Sequence, residues 1–247
     1  MLLFVSLAFA LSPEEILAEV EAQDEHRKHR TAPAPKIPKS ARAKAATGEA
    51  VAGVNVPDGY DTGQGWGVAI WDAPAEAVWK AINNEDQAAD YLVPAYSGTV
   101  DGTTHHSGRA TFQYLDAPMV TDRWWVTRWT FNEKLYAESE GMVWEVSFVD
   151  DLDEDLMKGT DFEALLEDSM PIAWAKGGYL VIPLSDGRTW VEYFSWTDPG
   201  GNVPAGLFSK FADKEVLATF EAIAARAEYH ETAAKGGYVK PDGSPID

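Results

Sequence analysis

The chain predicts an α+β domain, a curved antiparallel sheet wrapped around a long C-terminal helix, with two short helices after the first strand. Three observations predict it. Strand-like segments, many alternating or aromatic, follow one another from Trp66 to Trp196. Only one later segment, Pro204 to about Thr232, has the length and apolar stripe of a long helix. A sheet of so many strands must bury a face, and one helix is long enough to cover it.

The elements follow in order. Ser12-Pro13-Glu14-Glu15 opens a helix running to about His29, with a capping Ser, Pro in the first turn and acids at the positive end of the dipole. Its apolar stripe of Ile16, Leu17 and Val20 is narrow, which predicts loose seating on the body. Pro33, Pro35 and Pro38 mark residues 31–57 as a linker. The domain is therefore expected over 58–232. Trp66–Trp71 reads as its first strand, and Ala73-Pro74-Ala75-Glu76 opens a helix to about Asn83. A second short helix covers Glu85–Tyr91. Strands are then expected at Tyr96–Thr103, Arg109–Leu115, Arg123–Leu135, Met142–Val149, Tyr179–Leu184 and Arg188–Trp196. Ser185-Asp186-Gly187 is a hairpin turn, because Asp-Gly accommodates positive φ. Asp150–Asp168 has nine acids and one base and reads as an acidic insertion with a short helix near Phe162–Leu166. Residues 233–247, polar and rich in Gly and Pro, read as a flexible tail.

Net charge is −20, which disfavours nucleic acid and anionic membrane as partners of the domain. Only residues 26–44, with seven Lys/Arg and no acid, could attract an anionic surface, so membrane contact is expected to be transient. The chain has no Cys, which excludes disulfides, thiolate catalysis and Cys-ligated zinc. Met1 to Ala10 is apolar and ends in Ala8-Phe9-Ala10, an A-x-A pattern before a polar segment. The run is too short to span a bilayer, which takes about 20 residues. It predicts a secretory signal cut after Ala10 and an exported protein, periplasmic or extracellular, although no Lys or Arg precedes it.

Four local features resemble the START-like, or SRPBCC, lipid-binding superfamily of helix-grip domains. Trp66-Gly-Val-Ala-Ile-Trp-Asp-Ala-Pro-Ala-Glu-Ala-Val-Trp79 is similar to its first strand leading into "APxExVW". Pro118-Met-Val-Thr-Asp-Arg123 is similar to "P-x-x-x-D-R-D", with Trp124 in place of the second Asp. Gly178 to Thr189 resembles "G-x-W-x-L-x-P-x-x-D-G-x-T", with Leu180 in place of Trp. Asp198-Pro-Gly-Gly-Asn-Val-Pro204 resembles "D-P-G-G-x-I-P", which opens the C-terminal helix. The resemblance covers residues 65–230. It implies a helix-grip fold and a cavity for a hydrophobic small molecule or lipid, and it does not specify the ligand.

Candidate ligand contacts follow from alternation. Phe112, Tyr114, Trp125, Trp129, Trp144 and Phe148 have the spacing of an inward aromatic face. Phe208, Phe211 and Phe220 belong to the apolar stripe of the last helix. Arg128 and Glu192 are charges within aromatic strands, to be paired with each other or used on a ligand. On the last strand, parity does not decide between the face of Trp190, Glu192, Phe194 and Trp196 and the face of Val191 and Tyr193. His105-His106 reads as a solvated loop pair. Asp151-x-Asp153-x-Asp155 begins like a calcium loop, but Leu156 and Phe162 occupy the Gly and closing Glu positions, so a solvated acidic loop is expected.

No nucleophile–base motif, P-loop or dinucleotide fingerprint is present, so no catalytic residue and no metal or other cofactor is assigned. The function expected is binding, with transport, of a hydrophobic molecule in an internal cavity. A polyketide cyclase or aromatase would need Arg128, Glu192 and Tyr114 to converge on that cavity. A protein-interaction module would need a filled core and an exposed apolar patch.

Overall fold

The computed structural model describes residues 10–31, 33–60, 62–90, 92, 94–116, 120–201, 212–228 and 237–246. Strands β1 (Val51–Asn55), β2 (Gln64–Trp71), β3 (Tyr96–Asp101), β4 (Ala110–Leu115), β5 (Asp122–Phe131), β6 (Trp144–Asp150), β8 (Trp174–Pro183) and β9 (Thr189–Asp198) form one curved sheet. Its order is β1-β2-β9-β8-β6-β5-β4-β3, antiparallel throughout, and a short parallel strand β7 (Ser169–Pro171) joins beside β5. The helices are α1 (Pro13–Ala22), α2 (Lys39–Ala46), α3 (Ala75–Ile82), α4 (Glu133–Glu138) and α5 (Ala212–Glu228). The predicted α+β architecture is the one observed.

Both faces of the sheet are covered. On the inner face, α3 and α5 pack against Ala69, Trp71, Phe131, Val146, Val181 and Val191. Close approach of α5 depends on Gly67, where a Cβ would lie only 2.5 Å from Val216 Cγ1 and 3.0 Å from Phe220 Cε2.

The outer face has two covers that the sequence reading did not anticipate. The first is the N-terminal segment. Ser12 and Glu15 close a capping box on α1, which buries Ile16 and Val20 completely instead of resting loosely. A 3-10 helix follows at Asp24–His29. The supposed linker contains α2 and β1. Its prolines do not prevent this, because Pro38 precedes the first helical turn, where a missing N–H costs nothing. The small Ala41, Ala45 and Ala46 let α2 lie close to Trp66, Val68, Leu180, Ile182 and Phe194. β1 pairs with β2, so the domain begins before residue 58.

The second cover is the acidic insertion. Its 3-10 helices at Glu154–Met157 and Glu163–Leu166 turn Met157, Leu156, Phe162 and Leu165 onto Phe112, Tyr114 and Trp124. Phe162 stacks on Phe112 with ring centroids 4.8 Å apart. Its acids take separate partners. Asp151 holds Arg128 at 2.6 Å, Asp153 caps the first 3-10 helix and Asp155 holds Lys158 at 2.6 Å.

The expected tail is also packed. Tyr238, Val239 and Ile246 are buried against α3, and the Trp79 indole N–H donates to the Val239 carbonyl at 2.9 Å. His105, read as solvated, is 5% exposed and stacks on Tyr238 at 3.9 Å. Residues 1–9 and 202–211, and with them most of the signal segment and the start of the last helix, lie outside the described residues.

Candidate functional site

A cavity of about 280 Å³ lies between the inner face of the sheet and α5. That is near the lower end of small-molecule sites, about 300–1,000 Å³. β4 and β5 form one wall, β8 and β9 another, and Val216, Thr219 and Ile223 of α5 close it. The glycines of β8 shape the far wall. A Cβ at Gly177 would lie 2.3 Å from the Phe148 ring, so only Gly permits that ring to lie flat there.

The inward residues of β4 and β5 are mostly polar. Arg109, Thr111, Gln113 and Leu115 face in from β4, and Arg123, Trp125, Thr127 and Trp129 from β5. Most of these polar groups are tied to one another. Trp125 Nε1 donates to Gln113 Oε1 at 2.5 Å, and Trp129 Nε1 to Thr111 Oγ1 at 2.9 Å and Thr127 Oγ1 at 3.0 Å. The indole N–H groups are thereby satisfied, and the apolar rings remain for a ligand. Tyr179 and Tyr193 stack on the opposite wall at 4.4 Å. Burial pushes the Tyr193 phenol up to about 12, so it stays neutral across the physiological range.

One end is closed by a buried ion pair. Arg109 Nε lies 2.7 Å from Glu85 Oε1, and its Nη2 donates to Asn83 Oδ1 at 2.9 Å. The His105 main-chain N–H donates to the same Glu85 oxygen at 2.6 Å. Burial alone would raise the Glu85 carboxyl, but His105 and Arg109 outweigh it and hold the group below its ordinary value. Burial lowers Arg109, whose guanidinium also lies 5.1 Å from the Trp129 ring centroid. The short helix Glu85–Asp90 and the turn at Gly102, with φ of 81°, bring these groups together.

The sequence-predicted contacts divide. Trp125, Trp129 and Phe148 line the cavity. Trp144 shares the inner face but belongs to the closed core, 5.6 Å from Trp79. Phe220 lies behind the wall against Trp71 at 5.5 Å and Tyr193 at 6.1 Å. Phe112 and Tyr114 point to the outer face, under the insertion. Tyr114 donates to Asp122 Oδ2 at 2.5 Å, which pushes its phenol up to about 12. Phe208 and Phe211 lie outside the described residues.

Arg128 and Glu192 do not pair with each other. Arg128 is on the outer side with Asp101 and Asp151. Glu192 is 2% exposed on the outer face and is held by Arg27 of the N-terminal segment. Burial would raise Glu192, but Arg27, Arg30 and Arg42 outweigh it and hold its carboxyl below the ordinary value. Apolar alternation does not reveal this polar lining, because the opposite face of β4 and β5 is buried too. An available signal was Arg109 and Arg123 themselves, since a charge within a strand covered on both faces must have a specific use.

No protein-family profile matches the chain, and no curated protein is similar to it in sequence. Solved structures are similar in fold. One is the STAR-related lipid transfer protein, fragment 25–204, of Xanthomonas axonopodis, at 19% identity and TM-score 0.60, covering 72% of this chain and 93% of that one. Human STARD10 is similar at 10% identity and TM-score 0.59, covering 82% and 84%. Human StAR-related lipid transfer protein 5 is similar at 12% identity and TM-score 0.59, covering 89% and 98%.

Proposed function

Starting from the START-like helix-grip fold of this chain, we propose that the cavity binds a hydrophobic small molecule or lipid and carries it through water. The observation behind this reading is the space of about 280 Å³ between sheet and helix, with aromatic rings whose N–H groups are already occupied. Apolar burial drives uptake at about 25 cal/mol per Å². A ligand burying about 250 Å² gains roughly 6 kcal/mol before ordering costs. The similar folds of the STAR-related lipid transfer protein of Xanthomonas axonopodis and human StAR-related lipid transfer protein 5 support the same kind of ligand.

A carrier reading stands ahead of a cyclase-like one. Arg128, Glu192 and Tyr114, the side chains offered for acid–base work, face away from the cavity and are engaged with other partners. General acid–base catalysis needs its groups within hydrogen-bond reach of the substrate.

The proposal extends to location. Removal of residues 1–10 would make Leu11 the first residue, and its main-chain N already lies 2.9 Å from Asp186 Oδ2. A new ammonium there would meet a carboxylate. This contact fits a cut after Ala10 and so an exported protein. N-terminal sequencing of the protein from its native host tests the cut.

Native mass spectrometry of the purified full chain, followed by solvent extraction, tests the ligand reading. A co-purifying hydrophobic molecule is expected, and Ser195→Phe, which projects a ring into the cavity, is expected to lose it while keeping its far-UV circular dichroism. A protein that is repeatedly empty and binds nothing from a lipid panel would sink the reading.

A further inference from the structure

The cavity wall holds a buried guanidinium that has no counterion among the described residues. Arg123 is 5% exposed and lines the cavity at the end opposite Arg109. Its Nε donates to the Pro199 carbonyl at 3.0 Å, and its Nη1 donates to the carbonyls of Thr121 and Asp122. Among the described residues, no carboxylate lies within ion-pair distance of it, and Nη2 has no hydrogen-bond partner. The nearby acids are engaged elsewhere. Asp122 accepts from Tyr114, and Asp198 accepts from the Gly200 N–H.

The contrast with Arg109 gives the observation its meaning. Both guanidiniums are on the inner face and both are nearly inaccessible to solvent. Arg109 has Glu85 at 2.7 Å, whereas the partners of Arg123 among the described residues are main-chain carbonyls. A buried cation is costly unless an anion meets it. Three carbonyls orient the guanidinium without neutralising it, and Nη2 has N–H groups to offer an anionic oxygen of a carboxylate or phosphate.

We infer that Arg123 is the head-group site of this cavity and that its ligand is an anionic amphiphile, an acyl or ring body ending in a carboxylate or phosphate. This rests on the cavity-binding reading above and names the class of molecule it takes. The head would meet Arg123 beside Pro199 and Thr197, and the body would extend past Trp125 and Trp129 toward Arg109. From the level of Leu115, opposite Arg123, to Arg109 is six residues of strand, about 20 Å. A cavity of about 280 Å³, at the low end of small-molecule sites of about 300–1,000 Å³, suits a short chain of about ten carbons. The net charge of −20 opposes an approaching anion at long range. That field is screened beyond about 8 Å at physiological salt, so the local guanidinium decides affinity.

The test uses the full chain, stripped of co-purifying lipid, and calorimetric titration with decanoate, decyl phosphate and decanol. At least one anion is expected to bind about tenfold or more tightly than decanol. In Arg123→Gln that anion should lose about tenfold or more, with decanol unchanged. The preference between decanoate and decyl phosphate identifies the head group. Decanol binding as tightly as both anions would overturn the inference and leave the cavity reading standing. So would an anion whose affinity survives in Arg123→Gln. Binding of none of the three would sink the cavity reading and the inference together. Should Arg123→Gln fail to fold, the comparison of head groups on the unmodified protein still decides.

Discussion

Arg27 holds Glu192 through two parallel hydrogen bonds, Nη1 to Oε2 at 2.5 Å and Nη2 to Oε1 at 2.8 Å, across 165 residues of chain. Arg30 and Arg42 stand 3.6 and 3.8 Å from the same carboxylate. Arg30 also reaches Glu145, which is 0% exposed, at 2.8 Å. The N-terminal segment is therefore fastened to the outer face by a buried charge network as well as by its apolar side chains. Replacing Glu192 by Ala leaves three guanidiniums without their shared partner. The expected loss is about 3–5 kcal/mol in chemical denaturation. A loss under about 1 kcal/mol would show that the segment contributes little to the fold.

Acid should weaken this protein through the same network. The carboxyls of Glu192 and Glu85 are held below their ordinary value in the fold. Groups of that kind stabilise fully above the unfolded pKa, about 4.3 for Glu, and lose the contribution as pH falls through the lower folded value. The melting temperature should therefore hold level from pH 7 to about 5 and fall below about pH 4. Glu192→Gln should lower the plateau and flatten the acid limb. Parallel acid limbs in the two proteins would mean that Glu192 is not part of the effect.

Phe112 discriminates between the two faces of the sheet. It is fully buried under Phe162 of the insertion, on the side away from the cavity. Phe112→Ala should cost about 3–5 kcal/mol of stability and leave ligand affinity within about twofold. A large loss of affinity at unchanged stability would place it on the ligand side instead.

The C-terminal segment should behave as part of the core. Removing residues 237–247 exposes Trp79 and takes away the apolar burial of Tyr238, Val239 and Ile246. Thermal denaturation of the truncated chain should show a loss of at least about 3 kcal/mol. A truncated chain as stable as the full one would restore the flexible tail.

What could be read without coordinates was the order and kind of elements. β5 and β9 announced themselves by β-branched and aromatic runs, and the β8–β9 turn by Ser185-Asp186-Gly187. α3 was marked by Pro74 at its start and Val78, Trp79 and Ile82 on one side. These are local properties, set by backbone sterics and side-chain spacing, and they sufficed for the α+β architecture. The N-terminal cover was less legible. Ala-rich α2 has almost no apolar contrast of its own, and it is a helix face only because Trp66 and Leu180 lie beneath it.

The direction of each strand face was decided by tertiary packing alone. Alternation separates two sets of side chains but does not say which set meets the ligand. Had one face been bare, water would have marked it by polar residues. Here the N-terminal segment and the acidic insertion exclude water from the outer face, so Phe112, Trp124 and Phe194 could be apolar there. The inner face could then hold Thr111, Arg123 and Thr127, whose polarity is satisfied by neighbours or reserved for the cavity's occupant. Such satisfaction joins residues far apart in the chain, as with Arg27 and Glu192, and no local pattern records it.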